Sequence, residues 1–511
     1  MFKRITADLL TYLPAKMLPA LTAFITVPIF THLFTPDQYG NYMLAVGVAE
    51  FLLAATTTGL AAGAVRFYAA YSIKQDLPRY FTSLYANTGA ITLITALIGA
   101  AVLLLGRALF PEEVYPLLWV ALLVFIANGW YVILSNVLRA QERSRWFTAF
   151  ELFYKYGTVI FSVGLILLLG MGVEGMLWGQ MLALAIPILP LVWLTTRGTG
   201  MRSSVRREGF SLADARQMWA YALPLTLGNV AFWALRLADR YIIEANQGSY
   251  EVGLYSVSYN ISTRSIDMLV GLFLLVPGPI IMRLWEERGR QAAEEAMTAI
   301  TRMFLLLVIP AVVGLAVTAG PLVRLLAEDA YLDGYRAIWL VATASAAFGL
   351  GQLGSFGTLL AKRTGIIARN QFLATGVSLA LNFLLIPHYG FMGAAVSACV
   401  AFVLMATLQA LSSRRFFTWR WPLRTLTRVL IASALMALAV MGLLVALGPT
   451  ETTWAQVGAV LAAVAVGGLV YGVALAALGE VSLRKVKQAI FSRGEKPAET
   501  EVAEAPIAPG R

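Results

Sequence analysis

About fourteen apolar runs, each near the ~20 residues that a bilayer core requires, divide the 511-residue chain. They fall at 10–34, 41–65, 81–105, 114–138, 149–169, 175–196, 218–245, 253–282, 303–323, 336–360, 366–386, 391–411, 425–447 and 455–479. The junctions between them alternate in charge. Every second one is basic: Lys74 and Arg79, then Arg139, Arg143 and Arg145, and so on to Arg414, Arg415, Arg420 and Arg424. Lys3 and Arg4 precede the first run, and Arg484, Lys485, Lys487 and Arg493 follow the last. The positive-inside rule then places both termini in the cytoplasm, which requires an even number of spans. Composition agrees. Only 13% of residues are charged, against roughly 25% in a soluble domain, so a soluble enzyme is excluded. The net charge of +11 is cytoplasmic-loop charge, and nucleic acid is not an expected partner.

Metal and nucleotide chemistry have no footing. The single cysteine, Cys399, excludes a disulfide framework or a cysteine-ligated metal, and His32 and His388 have no metal-ligand spacing. No phosphate-binding GxxxxGK[ST] loop is present, and no cofactor is expected. No cleavable signal pattern follows Lys3 and Arg4, and the Pro-, Ala- and Glu-rich stretch 494–511 reads as a disordered tail.

The first twelve spans repeat as six and six. Tyr12-Leu13-Pro14 leads through one span to Tyr39-Gly40, and Tyr221-Ala222-Leu223-Pro224 leads likewise to Val252-Gly253. Leu138-Arg139-Ala140-Gln141 leads through one span to Gly172, and Leu360-Ala361-Lys362-Arg363 leads to Gly390. Two copies of six spans keep the same orientation, so their pseudo-twofold axis runs along the membrane normal. The expected fold is an all-α polytopic membrane protein of about 14 transmembrane helices, two pseudo-symmetric six-helix lobes plus two extra helices. In residues, the first lobe covers 1–200, a cytoplasmic linker 201–217, the second lobe 218–413, the added pair 414–480 and a cytoplasmic tail 481–511.

The segment Val27-Pro28-Ile29-Phe30-Thr31-His32-Leu33-Phe34-Thr35-Pro36-Asp37-Gln38-Tyr39-Gly40 resembles the opening P-x-x-T-R-x-L-T-P-E-E-Y-G of the Wzx-type polysaccharide-repeat flippases, with His32 where that family usually has Arg. Asp239-Arg240-Tyr241-Ile242-Ile243 and Glu251-Val252-Gly253-Leu254-Tyr255-Ser256 are similar to the seventh-to-eighth helix region of the same family, part of the multidrug/oligosaccharidyl-lipid/polysaccharide exporter superfamily. The resemblance implies a flippase of the bacterial cytoplasmic membrane. It would move a polyprenyl-pyrophosphate-linked glycan, an O-antigen or exopolysaccharide repeat unit, to the outer leaflet beside a glycan polymerase and chain-length proteins.

Ionisable residues inside spans are costly unless paired or wetted, and so are functional candidates. Arg236 lies 11 residues before the end of span seven at Gln247, and Arg264 lies 11 residues after Gly253. At ~1.5 Å per residue both would sit about 16 Å deep, at one level. Arginine suits the pyrophosphate head that the resemblance implies, because its planar fork matches phosphate oxygens. Arg240 and Lys16 are further phosphate candidates, Trp233, Tyr255 and Tyr259 could stack on sugar rings, and Glu50, Asp239 and Asp267 could couple transport to H+ or Na+. The alternative for several of these is internal pairing, Arg240 with Glu244 at i,i+4 and Arg264 with Asp267 at i,i+3. Lys16 could equally snorkel. Prolines within spans, among them Pro224 and Pro310, could be hinges or static kinks. A lipid II flippase and a drug/cation antiporter are the neighbouring alternatives. A membrane glycan polymerase or ligase is disfavoured by the short outer loops.

Overall fold

The computed structural model describes residues 25–198, 211–274, 277–448 and 452–480. Lys16, Pro14, Pro19, the centre of the linker and the tail lie outside the described residues. Among these the chain is helical, with no strand. Helix α1 covers 25–33. Then come α2 Pro36–Ile73, α3 Leu77–Leu105, α4 Tyr115–Ala140, α5 Ser144–Leu169 and α6 Glu174–Thr196. The second repeat holds α7 Leu212–Gln247, α8 Ser249–Leu274, α9 Pro277–Val317 and α10 Tyr335–Gly354. The stretch Thr364–Ser413 turns back at Gly390 into α11 (364–389) and α12 (391–413), and α13 Leu423–Leu447 and α14 Thr453–Ala477 complete the bundle. Two six-helix lobes and an added pair are therefore present, as expected.

Local chemistry explains the boundaries. The start of α2 is a capping box: the Thr35 hydroxyl accepts from the Gln38 N–H, the Gln38 side chain accepts from the Thr35 N–H, and Pro36 fills the first turn. Reversals sit at left-handed residues: Gln75 between α2 and α3, Glu142 between α4 and α5, and Gly170 between α5 and α6. Gly289, Lys362 and Gly390 likewise have positive φ 214, 220 and 220 residues later. Hydrogen bonds repeat with them. Arg143 N–H donates to Leu138 O, and Arg363 N–H to Thr358 O. This pairs Leu138 with Thr358, two residues from the register that the Leu138–Gln141 and Leu360–Arg363 landmarks suggest. Gly390 (φ 54°) folds α12 back on α11 tightly enough that a Cβ on Gly393 would meet the Leu385 carbonyl.

The structure departs from the expected spans at α8 and α9. Instead of a basic loop over 283–302, helix continues to a single turn at Gly289, and Phe273 packs edge-on to Phe304 across it. Arg283–Glu287 and Arg290–Glu294 ion pairs at i,i+4 keep this polar extension helical. α4 and α10, the fourth helix of each repeat, are the most buried spans. Leu93, Leu97 and Leu104 on α3, and Leu438, Val445, Leu461 and Val464 on α13 and α14, are exposed. Such outward apolar faces are what hydrocarbon requires.

The added pair packs on α9 of the second lobe, Tyr471 donates to Leu306 O, and one carboxylate clasps the junction. Glu480, 2% exposed, accepts from Arg302 Nε (2.8 Å) on α9, from Arg428 Nη1 (2.8 Å) on α13 and from the Thr425 hydroxyl. Burial pushes this carboxyl up, but the Thr425, Arg428 and Arg302 contacts outweigh it and hold it below the ordinary range. The clasp is therefore complete above the unfolded carboxylate value of about 4.3 and is lost as pH falls through the lowered folded value. Glu480→Gln is expected to cost about 1 kcal/mol at neutral pH, because both arginines are partly exposed. The variant should also lose part of the acid-side fall in melting temperature. An unchanged acid-side profile in that variant would contradict the clasp.

Candidate functional site

The lobes meet along α2, α7 and α8. At the end of the bundle carrying the α7–α8 turn, Gly40 and Gly253, counterparts in the two repeats, face each other. A Cβ on Gly40 would collide with the Ser249 carbonyl, and one on Gly253 with the Pro36 carbonyl. Ser249 Oγ donates to Asn41, Asn260 Nδ2 donates to the Tyr39 hydroxyl (3.3 Å), and the Tyr331 hydroxyl donates to Phe34 O. This end is sealed. Toward the other end the lobes stay joined through α7. Arg79 binds both carboxylate oxygens of Asp214, Trp219 Nε1 donates to Asn87, and the Arg66 guanidinium lies over Tyr221. Beyond Asn260, no hydrogen bond among the described residues joins α8 to the first lobe.

Arg264 lies one helical turn past Asn260 on the same face of α8. It is exposed and has no hydrogen-bond or ion-pair partner among the described residues. Asn260, on that face, bonds Tyr39 of the first lobe, so Arg264 faces that lobe. Glu50 is also exposed, on α2, three residues past Gly47, whose carbonyl accepts from Trp233 of α7. A cation and an anion, neither paired among the described residues, thus stand on the facing helices α8 and α2.

Arg236 is engaged. Its Nη2 donates to Asp267 Oδ2 (2.9 Å) and its Nε to the Tyr259 hydroxyl (3.1 Å), with side-chain exposures of 28% for Arg236 and 31% for Asp267. The other oxygen, Asp267 Oδ1, has no hydrogen-bond partner among the described residues. Asp267 borders a cavity of about 10 Å³, lined also by Thr263, Ser345 and Phe348, the space of roughly one water. Tyr259, Thr263 and Asp267 form one i,i+4 stripe on α8 and meet α7, whereas Asn260 and Arg264 form the neighbouring stripe and meet the gap. The Arg264–Asp267 pair that the sequence allows is therefore not made. Nor are Arg236 and Arg264 level. The α7–α8 turn is tight at Gly248, Arg236 is opposite Tyr259, and Arg264 is five residues farther, about 7 Å.

Arg240 is buried, at 3% exposure, and pairs with Asp239 rather than with Glu244. Its Nη1 donates to Asp239 Oδ1 (3.2 Å) and to Arg236 O (3.0 Å), and its guanidinium lies 4.6 Å from the Tyr259 ring centroid and 5.4 Å from that of Tyr255. The Tyr255 hydroxyl takes the remaining Asp239 oxygen at 2.6 Å. Two aromatic faces and a fully used carboxylate compensate this buried cation. Arg240 is not free for a ligand. Trp233 is also committed, its Nε1 donating to Gly47 O (3.0 Å) and its ring resting on Phe51.

Sequence reading missed two charges on α5, Glu151 and Lys155. With the span placed at 149–169 they fall near its start. The helix begins at Ser144, which puts Lys155 eleven residues in, about 16 Å. The signal was Arg143-Ser144-Arg145, a turn directly after the Glu142 reversal.

Among curated proteins no sequence match is found. Among solved structures, the chain is similar to the lipid II flippase MurJ in an inward closed conformation, with 13% identity, 91% of this chain and 98% of that one covered, and a TM-score of 0.70. It is also similar to an inward-facing multidrug resistance MATE family transporter of the MOP superfamily (15% identity, 79% and 94% covered, TM-score 0.65). Against an outward-facing MATE transporter the TM-score is 0.54, with 13% identity and 80% and 94% covered. The chain thus shares the fold of these structures. Residues 5–285, just over half of the chain, match the polysaccharide biosynthesis protein family, and the chain belongs to that family.

Proposed function

We propose that this protein is a flippase that carries a polyprenyl-pyrophosphate-linked oligosaccharide, such as an O-antigen or exopolysaccharide repeat unit, from the cytoplasmic to the outer leaflet. The observation that carries the reading is Arg264. An unpaired arginine between the lobes of a membrane transporter is costly unless an anion comes to it, and a lipid-linked pyrophosphate is that anion. With the basic end of the bundle facing the cytoplasm, as the positive-inside rule directs, the gap at Arg264 opens to the leaflet where such lipids are made. The Gly40–Gly253 seal then closes the outer side. Rocking of one lobe on the other would break that seal and expose the head group outside. In cells depleted of the protein, the lipid-linked oligosaccharide should accumulate on the cytoplasmic leaflet. Normal outer-leaflet delivery, in a strain without a redundant translocase, would reject the reading and favour a drug/cation antiporter. The likeness to MurJ supports lipid II as the second substrate to test.

Coupling to H+ or Na+ belongs to the same proposal. The geometry favours Asp267 and Glu50 over Asp239. Asp267 keeps one oxygen unpartnered among the described residues and borders a small cavity, and Glu50 is exposed, while Asp239 is filled by Arg240 and Tyr255. Asp267→Asn or Glu50→Gln should abolish gradient dependence of flipping. Retained dependence in both of these variants and in Asp239→Asn would discard coupling through these groups.

A further inference from the structure

Lys155 stands at mid-helix on α5, half-buried, with its ammonium 4.4 Å from the Tyr154 ring centroid. It has no hydrogen-bond or ion-pair partner among the described residues. Glu151, one turn earlier, does not bridge to it and instead accepts from the Tyr131 hydroxyl at 3.4 Å. Gln180 Nε2 donates to the Tyr154 hydroxyl, also at 3.4 Å, and the Tyr131 and Tyr154 rings lie 5.3 Å apart. A mid-span ammonium with only an aromatic face for company is incompletely compensated, and a four-carbon stem cannot carry it from mid-helix to either interface.

This cluster is not the Arg264 site. Arg264 is on the second lobe and Lys155 on the first. Tyr131 and Tyr154, with Tyr42 of α2, pack against one core of the first lobe, so the cluster faces the interior of that lobe. Aromatic faces with hydroxyl, amide and carboxylate groups at their rims suit a sugar, whose C–H face stacks on rings and whose hydroxyls need both donors and acceptors.

Resting on the flippase reading, we infer that Lys155, with Tyr154, Gln180 and Glu151, forms a glycan subsite in the first lobe that selects a sugar bearing a carboxylate, of the uronic-acid class. The ammonium pairs with the sugar carboxylate. Glu151 and Gln180 take neighbouring hydroxyls. Arg264 holds the pyrophosphate from the second lobe, so the two anionic groups of one substrate are read by opposite lobes.

The test is binding of three lipids to the purified full-length protein in nanodiscs. These are a polyprenyl-pyrophosphate glycan with a uronic acid, the same glycan with that acid reduced to the neutral sugar, and sugar-free polyprenyl pyrophosphate. Wild type should prefer the acidic glycan over the reduced one by roughly tenfold or more, the scale of a hydrogen-bonded charge. Lys155→Met should erase that preference, Lys155→Arg should keep most of it, and neither should alter binding of the sugar-free lipid. Equal binding of the two glycans by wild type would overturn the subsite. So would a matching loss for all three lipids in Lys155→Met, which would assign Lys155 to the pyrophosphate. Failure of wild type to bind any of the three would reject the flippase reading itself.

Discussion

Arg264→Ala is expected to weaken binding of a polyprenyl-pyrophosphate glycan by roughly 10- to 100-fold while leaving the fold intact. Hydrogen bonds between ionised groups contribute about 1.5–3 kcal/mol each, and every 1.4 kcal/mol is tenfold in affinity. The fold should survive because the Arg264 guanidinium has no partner among the described residues to strand, so its removal leaves no buried charge behind. Lys should rescue only in part, since an ammonium cannot offer the two parallel donors of a guanidinium. Binding by microscale thermophoresis, with melting temperature measured on the same preparations, separates the outcomes. Unchanged affinity at unchanged stability would remove Arg264 from the site. A large loss of stability would show that it is structural.

The largest stability effect should come from Asp239→Ala. That change strands the Arg240 guanidinium, 3% exposed, with only aromatic faces and one carbonyl, and breaking a buried pair from one side costs about 3–5 kcal/mol. The Tyr255 hydroxyl loses its acceptor in the same step. The double variant Asp239→Leu with Arg240→Met should recover most of the loss, because a matched apolar replacement of a buried pair is often neutral or better. Melting temperatures in detergent across the two singles and the double read this directly. Additive losses in the double variant would mean that Asp239 and Arg240 do not act as one energetic unit.

The contrast between these two arginines shows where sequence reading stops. The bilayer-length runs, the charge alternation and the six-plus-six repeat follow from hydropathy and loop charge, which are local properties of the chain. They were legible, down to the Gly40–Gly253 counterparts; the capping box at Thr35–Gln38 was not read from the sequence. Which charge meets which was not. Arg236, Arg240 and Arg264 look alike in a hydropathy profile, and their i,i+3 and i,i+4 neighbours suggested internal pairs that do not form. Pairing is decided across the α7–α8 hairpin, and the hairpin register rests on one tight turn at Gly248. With the turn at Gly248, Arg236 stands opposite Tyr259 and reaches Asp267, instead of standing level with Arg264. Glu151 and Lys155 were missed for the same kind of reason, since a five-residue error in the start of α5 moved them from mid-span to the rim.

Reconstituted flipping tests the central claim most directly. The purified protein is placed in liposomes carrying a polyprenyl-pyrophosphate oligosaccharide in one leaflet, and the share accessible from the opposite side is followed over time. Wild type should equalise the leaflets far faster than protein-free liposomes, and Arg264→Ala should not. A folded wild-type protein that leaves the lipid where it was loaded, but moves an organic cation across the same membrane, would contradict the flippase reading.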